Sequence, residues 1–131
     1  MYIYSKKKKL IACIYKFKKK INSRINLSPE DELLQASIIN LDKKFILNRH
    51  IHTKVQRKTV GTQEIWIVIS GKLKATFYET NKTKICSKIL NKGDISILFR
   101  GGHKFETLEK NTIIYEIKNG PYIKGKDLIR F

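Results

Sequence analysis

From Glu64 to Lys118 the chain is a succession of short strand-like runs separated by turn residues, and few architectures accept that pattern. Glu64–Ser70 (EIWIVIS) is β-branched and apolar and ends at Gly71. Lys72–Glu79 (KLKATFYE) alternates strictly, setting Leu73, Ala75 and Phe77 on one face and Lys72, Lys74, Thr76 and Tyr78 on the other. Thr80-Asn81-Lys82 reads as a hairpin turn. Thr83–Leu90, Ile95–Phe99, Lys104–Leu108 and Thr112–Lys118 follow as strands, bounded by Gly, Asn or Asp. Upstream, Ala36–Leu41 and Phe45–His52 read as two more strands, with a turn at Asp42-Lys43 and a polar loop over Thr53–Thr62. Short strands at this spacing predict an all-β sandwich or barrel. The length, 131 residues, suits one domain, and no repeat or linker divides it.

Charge is unevenly placed. Nine of the 28 Lys and Arg fall within the first 24 residues, where there is no acid, and the formal net charge is +17. A codon bias towards Lys, Ile and Asn accounts for much of this, and general attraction to polyanions follows whatever its origin. No basic recognition helix or interleaved aromatic-basic motif is present, so no specific nucleic-acid partner is expected. Residues 1–27 read as a short helical or irregular basic leader, and residues 28–131 as the barrel domain. Leu10, Ile14, Phe17 and Ile21 recur at helical spacing, so weak contact with an anionic membrane surface is the alternative to a solvated or loosely docked leader. The uncharged run there is too short for a secretory signal, and more lysines follow it. Ser28-Pro29-Glu30-Asp31-Glu32 has the chemistry of a helix or turn start. No run approaches the roughly 20 apolar residues of a membrane helix. Two cysteines without paired spacing suit a reducing cytosol, so a cytoplasmic location is expected.

Three histidines carry the most chemical information. His50 and His52 are one residue apart, and on a strand such residues point to the same side. Glu64 opens the next strand after the loop, and His103 follows Gly101-Gly102, where the backbone is free to come close. Three imidazoles and one carboxylate would suit a divalent Mn, Fe, Ni, Co or Zn ion. The plain alternative is an ordinary strand with two surface histidines.

The frame His50-x-His52, Glu64 with six residues before Gly71, then Gly93 leading through Gly101 to His103, resembles the two-motif signature of the cupin superfamily. Gln63-Glu64-x-Trp66, Gly71-Lys72, Phe77-Tyr78, Leu90-x-x-Gly93-Asp94, Gly101-Gly102-His103 and Tyr115-Glu116-x-Lys118-x-Gly120-Pro121-Tyr122 are similar to a group of small bacterial cupins. That group is found in gene clusters for surface polysaccharides such as capsule and O-antigen. The resemblance covers the chain from about Leu34 onward and leaves the leader uncovered. It implies a double-stranded β-helix, a jelly-roll-like barrel, with a metal on His50, His52, Glu64 and His103. It also implies a carbohydrate or nucleotide-sugar ligand, with isomerase or epimerase chemistry. A non-catalytic metal- or small-ligand-binding regulatory or scaffold cupin is the alternative.

Around that site, Glu116 is expected at the barrel mouth as a base or as the partner of a His ligand, and Lys118 as an anchor for an anionic group. A solvated strand edge carries equal weight for the pair. Trp66 shares a face with Glu64 and reads as core, with a platform for a sugar ring as the alternative. The Glu64–Ser70 strand is apolar on both faces, so its second face must meet another sheet or another subunit, and a homodimer is expected.

Overall fold

A computed structural model describes all 131 residues, and it is all-β, with no helix. Ten strands form in chain order: β1 (Tyr2–Tyr4), β2 (Leu10–Tyr15), β3 (Ile25–Asn26), β4 (Ser37–Ile38) and β5 (Glu64–Ser70). They continue with β6 (Lys72–Tyr78), β7 (Lys84–Asn91), β8 (Ile95–Leu98), β9 (Gly102–Thr107) and β10 (Ile113–Lys118). All pairings are antiparallel. One sheet has the order β1-β2-β8-β5-β10, a second β7-β6-β9, and β3 pairs with β4 alone. The sheets do not close into a barrel; β9 and β10 each end a sheet.

The alternation of β6 is realised as read. Leu73, Ala75 and Phe77 are fully buried and pack with Trp66, Val68, Leu90 and Leu98 between the two larger sheets. Each large side chain buried there stabilises the fold by about 1.5–3 kcal/mol. A second cluster, Cys13, Leu27, Ile65, Ile97 and Phe99, lies on the other face of the five-stranded sheet. Leu34, Ala36 and Ile38, from the segment around β4, pack against it.

The basic leader is corrected. It contains no helix, and residues 1–27 do not stand apart from the domain, because β2 lies between β1 and β8 in the large sheet. Ile11, Ala12, Cys13 and Ile14 are all buried in succession, which a strand covered on both faces allows and a surface helix does not. The lysines occupy the ends of this strand: Lys6–Lys9 form the exposed hairpin tip, where Ser5 N–H donates to Lys9 O and Lys8 takes φ 60°.

Of the helix or turn expected at Ser28–Glu32, the turn forms, in which Glu32 N–H donates to Pro29 O. Another expectation changes. Phe45–His52 forms no strand: between Ile38 and Glu64 the chain has no regular structure, and apolar side chains there face solvent, Ile51 at 92% exposure. Alternation assigns faces only when a neighbouring strand supplies hydrogen bonds, and none pairs with this segment.

Candidate functional site

The site forms where β5, β9 and β10 meet. In the β5–β10 register Lys118 lies opposite Glu64 and Glu116 opposite Trp66, so these four side chains share one face. His103 enters from β9 in the facing sheet, placed by two glycines. Gly101 has φ 86°, and a Cβ there would lie 2.4 Å from the Tyr78 carbonyl oxygen. The glycine therefore lets β9 start close against β6, which orients His103.

Glu64 is 5% exposed, and its Oε1 accepts a hydrogen bond from the Trp66 indole N–H at 2.5 Å. Its Oε2 lies 3.4 Å from His103 Nε2 and 3.6 Å from Lys118 Nζ. Lys118 Nζ is also 3.3 Å from Glu116 Oε1. Trp66 packs its ring edge-on against His103 and Phe105, at centroid distances of 4.9 and 5.1 Å. Trp66 is thus core, 3% exposed, and also fixes the Glu64 carboxyl.

Burial first, and then a hydrogen bond to Glu116, raise the Glu64 carboxyl from 4.5 to about 7 against the opposing pull of Trp66 and Lys118. Glu116 moves the opposite way: accepting that proton and facing Lys118 hold it in the ionised form. Lys118 is raised between the two carboxyls despite its partial burial. Burial, aided by the Lys118 charge, lowers His103. The contact between Glu64 and His103 is therefore not an ion pair near neutrality. It places a carboxyl that gains and loses its proton near neutrality beside an imidazole whose neutral form is favoured.

Glu64, His103 and Lys118, though not Glu116, line a cavity of about 730 Å³ with Tyr78, Lys82, Lys104, Tyr122, Arg130 and Phe131 among its walls. Alternation along strands revealed the shared face of Glu64 and Trp66. It gave no signal for Lys82, Arg130 or Phe131, which reach the cavity from a turn and from the segment after β10. A second cavity, about 420 Å³, is lined by Glu32, Gln63 and Arg100. There Glu32 accepts from Arg100 Nη2 at 2.6 Å and from Gln63 Nε2 at 2.5 Å, and Gln63 Oε1 accepts from Leu34 N–H. Every partner is satisfied, and the network ties the segment before β4 to the start of β5.

The structure brings Glu64, His103, Glu116 and Lys118 together and leaves His50 and His52 apart. Both lie exposed on the irregular segment, ring centroids 5.2 Å from each other, with His50 Nδ1 3.0 Å from its own neighbour Asn48 O. No three His, Cys, Asp or Glu side chains are arranged to hold a metal ion. The donor set of His50, His52, Glu64 and His103 does not fit a divalent ion here. Glu64 and His103 meet without a third ligand, and the Lys118 ammonium already lies beside the carboxylate. No helix is long and apolar enough to cross a membrane. Comparison with protein-family models, curated proteins and solved structures finds no match to this chain.

Proposed function

We propose that this chain is a small cupin whose cavity takes a carbohydrate or nucleotide-linked sugar and moves protons on it, as an isomerase or epimerase does. The observation that carries the reading is the buried Glu64 carboxyl, raised to about 7, within 3.4 Å of the His103 imidazole. A carboxyl raised to about 7 beside an imidazole held towards its neutral form suits exchange of a proton beside a carbonyl. His103 takes the proton from carbon while Glu64 gives its own to the carbonyl oxygen, leaving an enediol; Glu64 then takes the proton of the neighbouring hydroxyl as His103 delivers its proton to the former carbonyl carbon, which completes the isomerisation and restores both side chains. The Lys82, Lys104, Lys118 and Arg130 side chains around the cavity suit an anionic group on the ligand. The volume lies within the roughly 300–1,000 Å³ of small-molecule sites.

The test is a panel of free and nucleotide-linked keto and aldehydo sugars in D2O, followed by proton NMR. Loss of a carbon-bound proton signal, abolished in His103→Ala, is expected. Tight binding without exchange would instead make the protein a regulatory or scaffold module in polysaccharide assembly. Exchange is expected to survive a chelator, since the proton-transfer pair needs no metal ligand from His50 or His52.

We also propose a homodimer, formed through β10 rather than β5. β5 is flanked by β8 and β10, and its second face is covered by the chain's own second core cluster. β10 is an edge strand, and Ile113, Tyr115 and Ile117 on it are exposed. A second copy pairing edge to edge would cover both the free backbone groups and these side chains. Sedimentation should give a dimer, and Ile117→Lys should weaken it by at least about tenfold, the equivalent of ~1.4 kcal/mol. A wild-type monomer would contradict this.

A further inference from the structure

The segment after β10 turns back across the cavity. Ile123 N–H donates to Asp127 Oδ2 at 3.1 Å, and the Lys126 and Asp127 N–H groups donate to Ile123 O at 3.1 and 3.2 Å. This closes a self-contained turn. Leu128–Phe131 then line the cavity without a main-chain hydrogen bond to the rest of the protein. One side chain anchors them. The Phe131 ring packs edge-on against Tyr78 at 5.3 Å, and Lys82 Nζ lies 5.6 Å from its centroid. The ring passes over Gly102, where a Cβ would lie 2.7 Å from it. Leu128, Ile129 and Phe131 all remain largely exposed.

A segment with exposed apolar side chains, no ladder hydrogen bonds and one aromatic anchor opens at low cost. We propose that residues 122–131 form a strap that closes the cavity over Glu64 and His103, latched by Phe131 on Tyr78, and that a ligand enters when the latch releases. Tyr78 ends β6 at the hairpin, and Gly102 begins β9, so the latch joins two neighbouring strands of the three-stranded facing sheet at the cavity mouth. The Lys82 ammonium, over the same ring, adds a cation–π contact to the latch.

This rests on the cavity being the ligand site, but its test needs no ligand. The full chain is treated with diethyl pyrocarbonate, and modification of each histidine is followed by peptide mass spectrometry. His50 and His52, both exposed, serve as internal references for His103. In parallel, acrylamide quenching reports on Trp66, the single tryptophan, whose ring lies against His103. Phe131→Ala removes the latch from an exposed position, and Gly102→Ala adds a methyl group under the ring. Both are expected to raise His103 modification relative to His50 and His52, and Trp66 quenching, several-fold, with unchanged circular dichroism. Lys82→Ala should do so more weakly. Unchanged access in both Phe131→Ala and Gly102→Ala would overturn the strap. Raised access with no sugar bound by any variant would leave the strap standing and remove the carbohydrate reading.

Discussion

Glu64→Gln is expected to reduce proton exchange in the cavity by about 10²–10⁴-fold, the usual worth of a positioned acid or base. The same change should make the protein more stable in mild alkali. Glu64 titrates near 7 in the folded state against an ordinary 4.5. The folded protein therefore holds a proton that the unfolded chain has released, and the stability this gives is complete below the ordinary value. It is lost as pH rises through about 7. Above that range the buried carboxylate is a cost, and glutamine removes it while keeping an oxygen to accept from the Trp66 indole. Partial compensation by the Trp66 hydrogen bond and the Lys118 charge limits the gain to about 1–3 kcal/mol at roughly pH 8. The lowered His103 has the opposite slope: its neutral form is favoured in the fold, so that stability is lost as pH falls. The variant should therefore show stability rising towards neutral pH, a trend that Glu64 partly cancels in the parent. Urea denaturation across this pH range measures both effects, and a pH-independent difference between variant and parent would contradict them.

Asp94→Ala is expected to destabilise the protein by about 2–4 kcal/mol, because a buried acceptor with several donors is removed. Asp94 is 3% exposed, and its carboxylate accepts from Lys16 Nζ at 2.6 Å, Phe17 N–H at 2.9 Å and Asn91 N–H at 2.8 Å. Lys16 can return to water, but the two main-chain donors lose their partner. The Phe17 ring passes so close to Gly93 that a Cβ there would lie 2.8 Å away, and Gly93 itself has φ 85°. The Gly93-Asp94 pair therefore fastens the end of β2 to the turn between β7 and β8. Asp94→Asn keeps one acceptor and should cost about half as much. A urea midpoint unchanged by Asp94→Ala would mean that the Lys-rich start of the chain is not part of the folded unit.

That region marks a limit of sequence reading. Leu10, Ile14, Phe17 and Ile21 have helical spacing, yet Ile11 to Ile14 are buried in succession, and only the neighbouring β8 strand decides between the two. From Glu64 to Lys118, by contrast, alternation and turn residues carry nearly all the information, and each expected strand forms within two residues of its expected bounds at either end. The shared face of Glu64 and Trp66, and that of Glu116 and Lys118, was legible for the same reason. Their meeting was not, since it depends on the register between β5 and β10. His50 and His52 show the converse: their spacing puts them on one side of a strand, but no strand partner fixes where that side points. The segment after β10 has neither alternation nor a repeated turn, so its place over the cavity had no sequence signal.

In the proposed function, Glu64 and His103 act as an acid–base pair inside a ligand cavity. Carbon-13 NMR of the Glu64 carboxyl, titrated alongside the His103 imidazole in the intact protein, tests it most directly. The predicted result is a Glu64 carboxyl that titrates near 7 and a His103 ring that stays neutral below its ordinary range. A Glu64 carboxyl titrating near 4.5, beside a His103 that holds its charge through neutrality, would make the pair an ordinary salt bridge and contradict the account.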